Sequence, residues 1–186
     1  MEAIVVLDML KEFWEHWPEE TRKIAPKIKT LIDAAKKAGR PVIYVCDTHR
    51  PTDMVYWKIA KKHALIGTTG AEVIDLLKPE TEELVVHKRN VSGFFGSDLE
   101  ITLRGMMVDT LILVGSATNV SILHTGVDAF QRYFKVIVVE DCTAGTTEEE
   151  HKWALRHLQG HPFNIEILSS NEVIRRYLRI PSHSDE

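Results

Sequence analysis

Polar side chains of several kinds stand at the ends of four short apolar segments in this chain. Asp8 ends the first segment, Asp47 and His49 follow the second, Lys88 ends the third, and Ser121 follows the fourth within GSATNVS. If these segments are parallel strands, their carboxyl ends meet at one edge of the sheet, where open α/β proteins bind ligands. A carboxylate, an imidazole, an ammonium group and a hydroxyl at one edge indicate acid–base, metal or nucleophilic chemistry.

Two of these residues have the spacing of metal ligands. Asp47 and His49 are two apart, so that in an extended chain their side chains point the same way. His63, 14 residues after His49 and across a polar loop, is the candidate third ligand. One aspartate and two histidines suit zinc, iron or manganese. Asp53 in the loop is a possible competing ligand, and the alternative remains that His49 is a surface residue and His63 caps a helix.

The remaining histidines and the loop aromatics have less specific readings. We interpret His151, His157 and His161 as exposed residues of helices and loops. Phe94 and Phe95 form a tight turn with neighbouring glycines, which is either a pocket wall or an interface patch. The aromatic residues around the first two loops either line a pocket for a flat substrate or anchor the loops; they are Trp14, Trp17, Tyr56 and Trp57.

The elements that must position these residues follow from the apolar pattern. Six short runs, most of them apolar without alternation, predict strands buried on both faces; they cover residues 3–7, 42–46, 83–87, 110–115, 135–140 and 165–168. Segments with helical character separate them, at residues 23–38, 98–104, 119–132, 147–158 and 171–178. The alternation predicts a three-layer αβα fold with a six-stranded, mostly parallel sheet and helices on both faces.

Composition excludes several classes of protein. The 186 residues are 44% hydrophobic and 27% charged with a net charge of −4, which predicts one globular domain over residues 1–179 and a tail over 180–186. The charge balance argues against nucleic-acid binding, and the longest apolar stretch is too short for a membrane span. The N-terminus does not read as a signal peptide. Two cysteines, Cys46 and Cys142, suggest a reducing compartment, so we expect a cytoplasmic protein.

Several motifs, in this order, resemble the isochorismatase-like cysteine hydrolases, and within them the nicotinamidase-like branch. The motifs are VVLDMLKEF (residues 5–13), CDTHRP (46–51), HALIGTTGAEV (63–73), VHKRNVSGFFGSDL (86–99), VGSATNVSILHTGVDAF (114–130) and EDCTAG (140–145). The resemblance covers roughly residues 3 to 175. It implies a six-stranded parallel sheet with flanking helices, in agreement with the fold expected from the apolar pattern.

The resemblance also implies roles for individual residues. The family uses an Asp–Lys–Cys triad, which Asp8 and Lys88 match, while the nucleophile position holds Ser121 instead of cysteine. The backbone N–H groups of Ala117 and Ser121 would form an oxyanion hole, after a cis peptide bond between Ser116 and Ala117. The implied metal ligands are Asp47, His49 and His63, with zinc as the metal, and Phe13 and Trp57 are expected to contact a flat ring.

The function implied is hydrolysis of a small carboxamide to an acid and ammonia through an acyl-enzyme, with low or no activity because of Ser121. The alternatives are hydrolysis of carbamoyl or ureido compounds, an isochorismatase-type reaction on a vinyl ether, and a catalytically degenerate protein that only binds a small molecule. The resemblance further implies a homodimer or a higher homo-oligomer, with contacts near Phe94, Phe95, Ile122 and Phe130.

Overall fold

The sheet of this computed structural model confirms the predicted architecture. The structure describes residues 1–179, so the predicted tail 180–186 lies outside the described residues. The strands are β1 (Glu2–Leu7), β2 (Val42–Asp47), β3 (Leu84–Lys88), β4 (Thr110–Ser116), β5 (Lys135–Ala144) and β6 (Glu166–Leu168). These six strands form one sheet, in which every neighbouring pair is parallel and the spatial order is β3-β2-β1-β4-β5-β6. The order reverses between β1 and β4, which creates a crevice at their carboxyl ends.

Helices cover both faces of the sheet because the side chains of each strand alternate between two cores. The helices are α1 (Lys11–His16), α2 (Glu19–Arg22), α3 (Ile24–Lys37), α4 (Leu99–Gly105), α5 (Leu123–Gln131), α6 (Glu148–Gln159) and α7 (Ser170–Tyr177). Ile4 and Val6 of β1 pack in one core with α3 and α7, while Val5 and Leu7 pack in the other with α4, α5 and α6. Short 3-10 turns lie at Tyr56–Lys58, Thr69–Ala71 and Asp75–Leu77. Residues of β1 are therefore buried on both faces, which explains the unbroken apolar runs.

The structure differs from the sequence-based expectation in three places. Helices α1 and α2 were not expected, because their segment has few apolar residues and buries none of the α1 side chains. The helix expected at residues 119–132 begins with a π-helical turn, Thr118–Ile122, before α5 starts. Strand β5 continues to Ala144, beyond the expected end at residue 140, because its register with β4 shifts between Leu113 and Gly115. In the part of the chain that the structure describes, no helix combines the length and apolarity needed to cross a membrane.

Candidate functional site

Asp8, Lys88 and Ser121 meet at the carboxyl ends of the strands. The Ser121 hydroxyl donates a hydrogen bond of 2.5 Å to Oδ2 of Asp8. The Lys88 ammonium forms an ion pair of 2.8 Å with the same carboxylate oxygen. All three side chains are buried, at 4% exposure or less. Oδ2 of Asp8 thus contacts both a hydroxyl and a cation. The hydrogen bond with the hydroxyl is the contact that proton transfer from Ser121 to Asp8 would use.

The backbone around Asp8 fixes its carboxylate. Asp8 has a φ of +48° just after β1, a conformation that non-glycine residues rarely adopt, and its N–H still donates to the Val45 carbonyl. Its Oδ1 accepts a 2.7 Å hydrogen bond from the backbone N–H of Asp47. The Ser116 hydroxyl donates to the Asp8 carbonyl oxygen at 3.2 Å. Both carboxylate oxygens are therefore held by neighbouring strand ends.

The charges of this cluster depend on burial and on one cation. Burial raises the pKa of Asp8 to about 6; the Asp47 carboxylate acts in the same direction and Lys88 opposes it. For Lys88, burial favours the neutral amine, but the carboxylates of Asp8 and Asp47 outweigh it and raise the pKa above its ordinary value. The lysine therefore carries its charge at neutral pH, while Asp8 exists in both protonation states near neutrality.

The turn that carries Ser121 begins at a close contact between two strands. Gly115 has a φ of +109°, and a Cβ atom there would lie 2.1 Å from the Leu7 carbonyl oxygen, so only glycine fits. The Ser116–Ala117 peptide bond is cis, as the resemblance implies. The Ala117 carbonyl accepts hydrogen bonds from the N–H groups of Val120 and Ile122, which gives the first turn its π-helical width. Such turns occur frequently at functional sites.

A cavity of about 260 Å³ opens onto these groups. Its lining includes Asp8, Ser121 and Ala117, and its walls are mainly aromatic and aliphatic; the other lining residues are Phe13, Trp17, Asp47, Tyr56, His63, Asn90, Val91, Ser116, Val120 and Thr146. The volume is slightly below the usual range for ligand sites, about 300–1,000 Å³, which suits a small ligand. Phe13 thus lies where a ring contact was expected. Trp57 does not line the cavity, and Tyr56 occupies that wall instead.

The position of Trp57 corrects the expectation that it contacts a substrate ring. Its ring packs edge-on against His49 with 5.0 Å between centroids, and its indole N–H donates to the Arg50 carbonyl. Tyr56 and Trp57 are adjacent in a 3-10 turn, so their side chains leave the turn in different directions. Sequence alone could not tell which of the two faces the cavity.

Asp47, His49 and His63 form a group that could hold a metal ion. One ligand atom from each residue lies within 4.8 Å of the others. The His49 side chain is fully buried, and neither of its ring nitrogens has a hydrogen-bond partner among the described residues. A buried imidazole without partners is costly, and a metal ion would satisfy it. The residues therefore fit a divalent metal, and the alternative of a surface His49 is wrong.

His63 and Asp47 contact each other and further polar groups. Nδ1 of His63 lies 2.8 Å from the Lys61 carbonyl oxygen, and Nε2 lies 3.6 Å from Oδ2 of Asp47. The carbonyl can only accept, so Nδ1 carries a hydrogen; Nε2 would donate to Asp47 when it is protonated and offer its lone pair to a metal when it is not. His63 lies in a loop and caps no helix. Burial alone would raise the pKa of Asp47, but the hydrogen bond with His63 and the Lys88 charge lower it overall.

Lys88 lies between Asp47, one of the three possible metal ligands, and Asp8, which contacts Ser121. Its ammonium group lies 2.5 Å from Oδ1 of Asp47 and 2.8 Å from Asp8, and it donates to the Asn90 carbonyl at 3.1 Å. The two clusters are therefore neighbours that share one cation. All of the residues expected to act as acid, lysine, nucleophile, oxyanion donors and metal ligands lie around this one edge of the sheet.

Sequence reasoning missed one half-buried histidine and misplaced two apolar residues. His151 was expected to be exposed, yet it is half-buried, and its Nδ1 lies 2.8 Å from the Thr118 hydroxyl. Its spacing from Ala154 and Leu158, three and seven residues on, places it on the buried side of α6 and was the available signal. His157 and His161 are exposed, as expected. Phe94 and Ile122, expected near an interface, belong to the core.

Comparisons with known proteins agree with this geometry. The model of the isochorismatase domain family matches residues 2–172. The chain is 30% identical over 148 residues to the isochorismatase family protein PncA of Bacillus subtilis (75% of this chain, 81% of that protein). Its fold matches N-carbamoylsarcosine amidase from Thermoplasma acidophilum with a TM-score of 0.80 and 31% identity, covering 91% of this chain and 96% of that one. It also matches pyrazinamidase of Pyrococcus horikoshii in complex with zinc, with a TM-score of 0.80 and 26% identity over 90% of this chain and 98% of that one. With a family match across nearly its whole length and the expected sheet and strand-end cluster, this chain belongs to the isochorismatase domain family.

Proposed function

We propose that this chain is an amidohydrolase of the nicotinamidase-like type, which hydrolyses a small carboxamide to an acid and ammonia. The observation that carries the proposal is the position of Ser121, Asp8 and Lys88 beside the Asp47–His49–His63 group around one cavity. A nucleophile bonded to a carboxylate base, next to a group suited to a metal, is an arrangement for acyl transfer. The relatives include an amidase and a pyrazinamidase, which supports an amide substrate.

The lining of the cavity favours a flat, uncharged amide. Phe13, Trp17 and Tyr56 provide aromatic surfaces on which a ring can pack. Among the described residues, the cavity lining contains Asp8 and Asp47 but neither lysine nor arginine. A substrate carboxylate, such as that of a ureido acid, would meet these anionic residues without a lysine or arginine partner. Carbamoyl and ureido compounds are therefore the alternative rather than the first choice.

We infer that Asp47, His49 and His63 hold one divalent metal, with zinc as the first candidate because a relative of the same fold binds it. When bound, the ion would supply a Lewis-acid charge for orienting a ring nitrogen of the substrate or polarising a water molecule. The carboxylate–imidazole ligand set is one that zinc accepts in catalytic sites.

The protein residues supply the proton transfers. Asp8 removes the proton of Ser121 as the hydroxyl oxygen attacks the amide carbon, and the N–H groups of Ala117 and Ser121 donate to the oxyanion. Asp8 then returns the proton to the leaving nitrogen, and ammonia departs. Water attacks the ester between the acyl group and Ser121, again with Asp8 as base. Lys88 keeps Asp8 in position and balances its charge throughout.

The serine makes this reaction slow. A thiol has a reference pKa of about 8.5, which a neighbouring lysine and a helix N-terminus can lower below about 7, so that a cysteine there ionises before attack. A serine hydroxyl is far less acidic and must lose its proton during attack. The base available is Asp8, with a pKa of about 6, which is a weak base for a hydroxyl. We therefore expect a folded chain that binds metal and amide but turns over slowly.

The test is ammonia release from a panel of amides by this chain and by Ser121→Cys, with Ser121→Ala as the control. Turnover of nicotinamide or a related heteroaromatic amide supports the proposal. Turnover of carbamoyl compounds alone would replace it with the ureido alternative. Tight binding of the amides, with no turnover by the native chain or the cysteine variant, would identify a binding protein.

A second candidate is an isochorismatase-type reaction in which Asp8 acts as an acid. It is favoured by the pKa of Asp8, which leaves part of the carboxyl protonated near neutrality, and by the lack of a thiol at position 121. A protonated Asp8 could donate its proton to a vinyl ether, whose hydrolysis needs no acyl-enzyme. In that case Ser121→Ala would retain activity, whereas the amidase proposal requires that it lose it.

We further propose a cytoplasmic location, because Cys46 and Cys142 are both free and buried. Unpaired thiols are typical of proteins in reducing compartments.

A further inference from the structure

Asp53 lies beside His49 but outside the metal group. Its Oδ2 is 3.6 Å from Nδ1 of His49. Among the described residues, the group whose ligand atoms lie within 4.8 Å of one another consists of Asp47, His49 and His63, without Asp53. Asp53 therefore approaches the imidazole from outside this group.

Hydrogen bonds hold both carboxylate oxygens of Asp53. Oδ2 accepts a 2.9 Å bond from the backbone N–H of Arg50, and Oδ1 accepts a 3.1 Å bond from the Arg89 guanidinium. The Asp53 side chain is 12% exposed. Its position is thus set by its own turn and by the residue that follows β3. The arginine also balances its charge, so the carboxylate is already partnered away from the metal group.

The Asp53 carboxylate matters for His49 because the packing that fixes the plane of the imidazole ring does not fix its tautomer. Tyr56 stacks on the ring with 4.4 Å between centroids and an angle of 17°, which fixes the plane. Stacking does not decide which nitrogen carries the hydrogen. A neutral imidazole has one N–H and one lone pair, and only the lone pair can bind a metal. A carboxylate next to Nδ1 favours the tautomer with hydrogen on Nδ1 and the lone pair on Nε2.

We propose that Asp53 is a positioning residue: its carboxylate, 3.6 Å from Nδ1 of His49, keeps the ring hydrogen on Nδ1 and so presents Nε2 of that ring to the metal. The inference rests on the metal site of the proposed function. It gives Asp53 a role other than that of a ligand. The carboxylate of Asp53 lies between the buried His49 ring and the exposed Arg89 guanidinium. Histidine ligands commonly donate their second N–H to a carboxylate in this way.

The test measures metal affinity in the full-length chain by competition of Zn²⁺ with a chromophoric chelator. Asp53→Ala is expected to weaken Zn²⁺ binding by about 10- to 100-fold. Asp53→Asn is expected to recover part of this loss, because its amide oxygen can still face the Nδ1–H of His49. Asp33→Asn, which changes a carboxylate on α3 paired with Lys29, is the control and should bind as the native chain does. Absorption of the Co²⁺-substituted protein should keep the same band shape in Asp53→Ala.

The outcomes separate this inference from the metal site itself. If the native chain binds Zn²⁺ and Asp53→Ala binds it equally well, the positioning role is wrong while the site stands. If Asp53→Ala alters the Co²⁺ spectrum to that of a site with fewer ligands, Asp53 is a direct ligand and the proposal is overturned. A native chain that binds no metal would overturn both the site and the role of Asp53.

Discussion

At the scale of single residues, the proposed chemistry depends on the oxygen of Asp8 that contacts both Ser121 and Lys88. We predict that Ser121→Cys raises the rate of amide hydrolysis by at least about 100-fold, the size of one well-placed catalytic interaction. The reason is that a thiol beside Lys88 can ionise before attack, whereas the hydroxyl cannot. The rate of ammonia release under saturating amide measures the effect. Equal rates for the two proteins would mean that serine is a competent nucleophile here and that another base assists it.

The metal ligands give a second prediction at this scale. We expect about one equivalent of divalent metal in protein freed of affinity tags, and a large loss in His49→Ala and in His63→Ala, since each removes one of three ligands. Elemental analysis after dialysis measures the content. His157→Ala, at an exposed position on α6, serves as the control and should keep its metal. Unchanged metal in both ligand variants would show that the assignment is wrong.

At the scale of secondary structure, α6 supports the turn that carries the nucleophile. The His151–Thr118 hydrogen bond, at 2.8 Å, ends on a fully buried hydroxyl three residues before Ser121. Asn119 adds two further bonds to Thr146, at 2.9 and 3.0 Å. The turn is therefore attached at two points, to α6 through His151 and to the β5–α6 connection through Thr146, which keeps the Ser121 hydroxyl directed at Asp8.

We predict that His151→Ala lowers the free energy of unfolding by about 1–3 kcal/mol, because it leaves the buried Thr118 hydroxyl without its partner. His151→Asn should recover part of this loss, since the Asn side chain can reach the same hydroxyl. Denaturant unfolding measures both variants. The exposed His157→Ala should change the free energy by less than about 0.5 kcal/mol. A His151→Ala protein as stable as the native chain would contradict the supporting role.

The start of α7 gives a prediction on pH. Asp141 accepts hydrogen bonds from the backbone N–H and the hydroxyl of Ser170, at 2.7 and 2.8 Å, and pairs with Lys27. Burial would raise the pKa of Asp141, but these bonds lower it overall below the ordinary value of 3.8. A carboxyl whose pKa is lower in the folded state stabilises the fold above its unfolded pKa. That contribution decreases as the pH falls below about 3.8.

We therefore expect Asp141→Asn to lower the free energy of unfolding by about 1 kcal/mol at pH 7 and by less near pH 3, which lies below the unfolded pKa, where the contribution of the lowered pKa decreases. Denaturant unfolding of both proteins at the two pH values measures the difference. A difference that is equal at both values, or larger in acid, would contradict a lowered pKa for Asp141.

At the scale of the whole molecule, the exposed apolar side chains near the site bear on assembly. Phe95 lines one cleft together with Met54, Val55 and Ile59. The exposed fractions of these side chains are 66% for Phe95, 64% for Met54, 79% for Val55 and 84% for Ile59. Contiguous exposed apolar residues often mark protein–protein contacts. Phe94 and Ile122, by contrast, lie in the core and are not available for contact.

We predict a homodimer or a higher homo-oligomer, and we expect Phe95→Ser to weaken it because the change removes the largest ring of this exposed group. Light scattering at micromolar concentration measures the mass against the 21.2 kDa of one chain. Tyr133→Ser, which changes an exposed aromatic residue that does not line this cleft, is the control. A native chain that scatters only as a single 21.2 kDa particle would contradict the prediction.

The sequence by itself determined the sheet and the residues at its functional edge. Strands buried on both faces must be apolar without interruption, so six runs could be recognised and placed in a parallel sheet. Parallel strands bring their carboxyl ends to one edge, which is why Asp8, Asp47, Lys88 and Ser121 could be expected together before any distance was known. From its spacing after His49, His63 was one candidate third ligand with Asp53 as a competitor, and the family resemblance then favoured it, since a loop residue has no periodic pattern.

Only the tertiary structure decided which loop side chains face the site. Adjacent residues such as Tyr56 and Trp57 diverge in a short turn, and their directions depend on the residues packed against them, above all His49. The proximity of Asp53 to His49 likewise depends on bonds from Arg50 and Arg89 that no periodic pattern encodes. Strand ends are fixed by unbroken local apolar runs and by sheet geometry, whereas loop side chains are fixed by contacts between segments far apart in sequence.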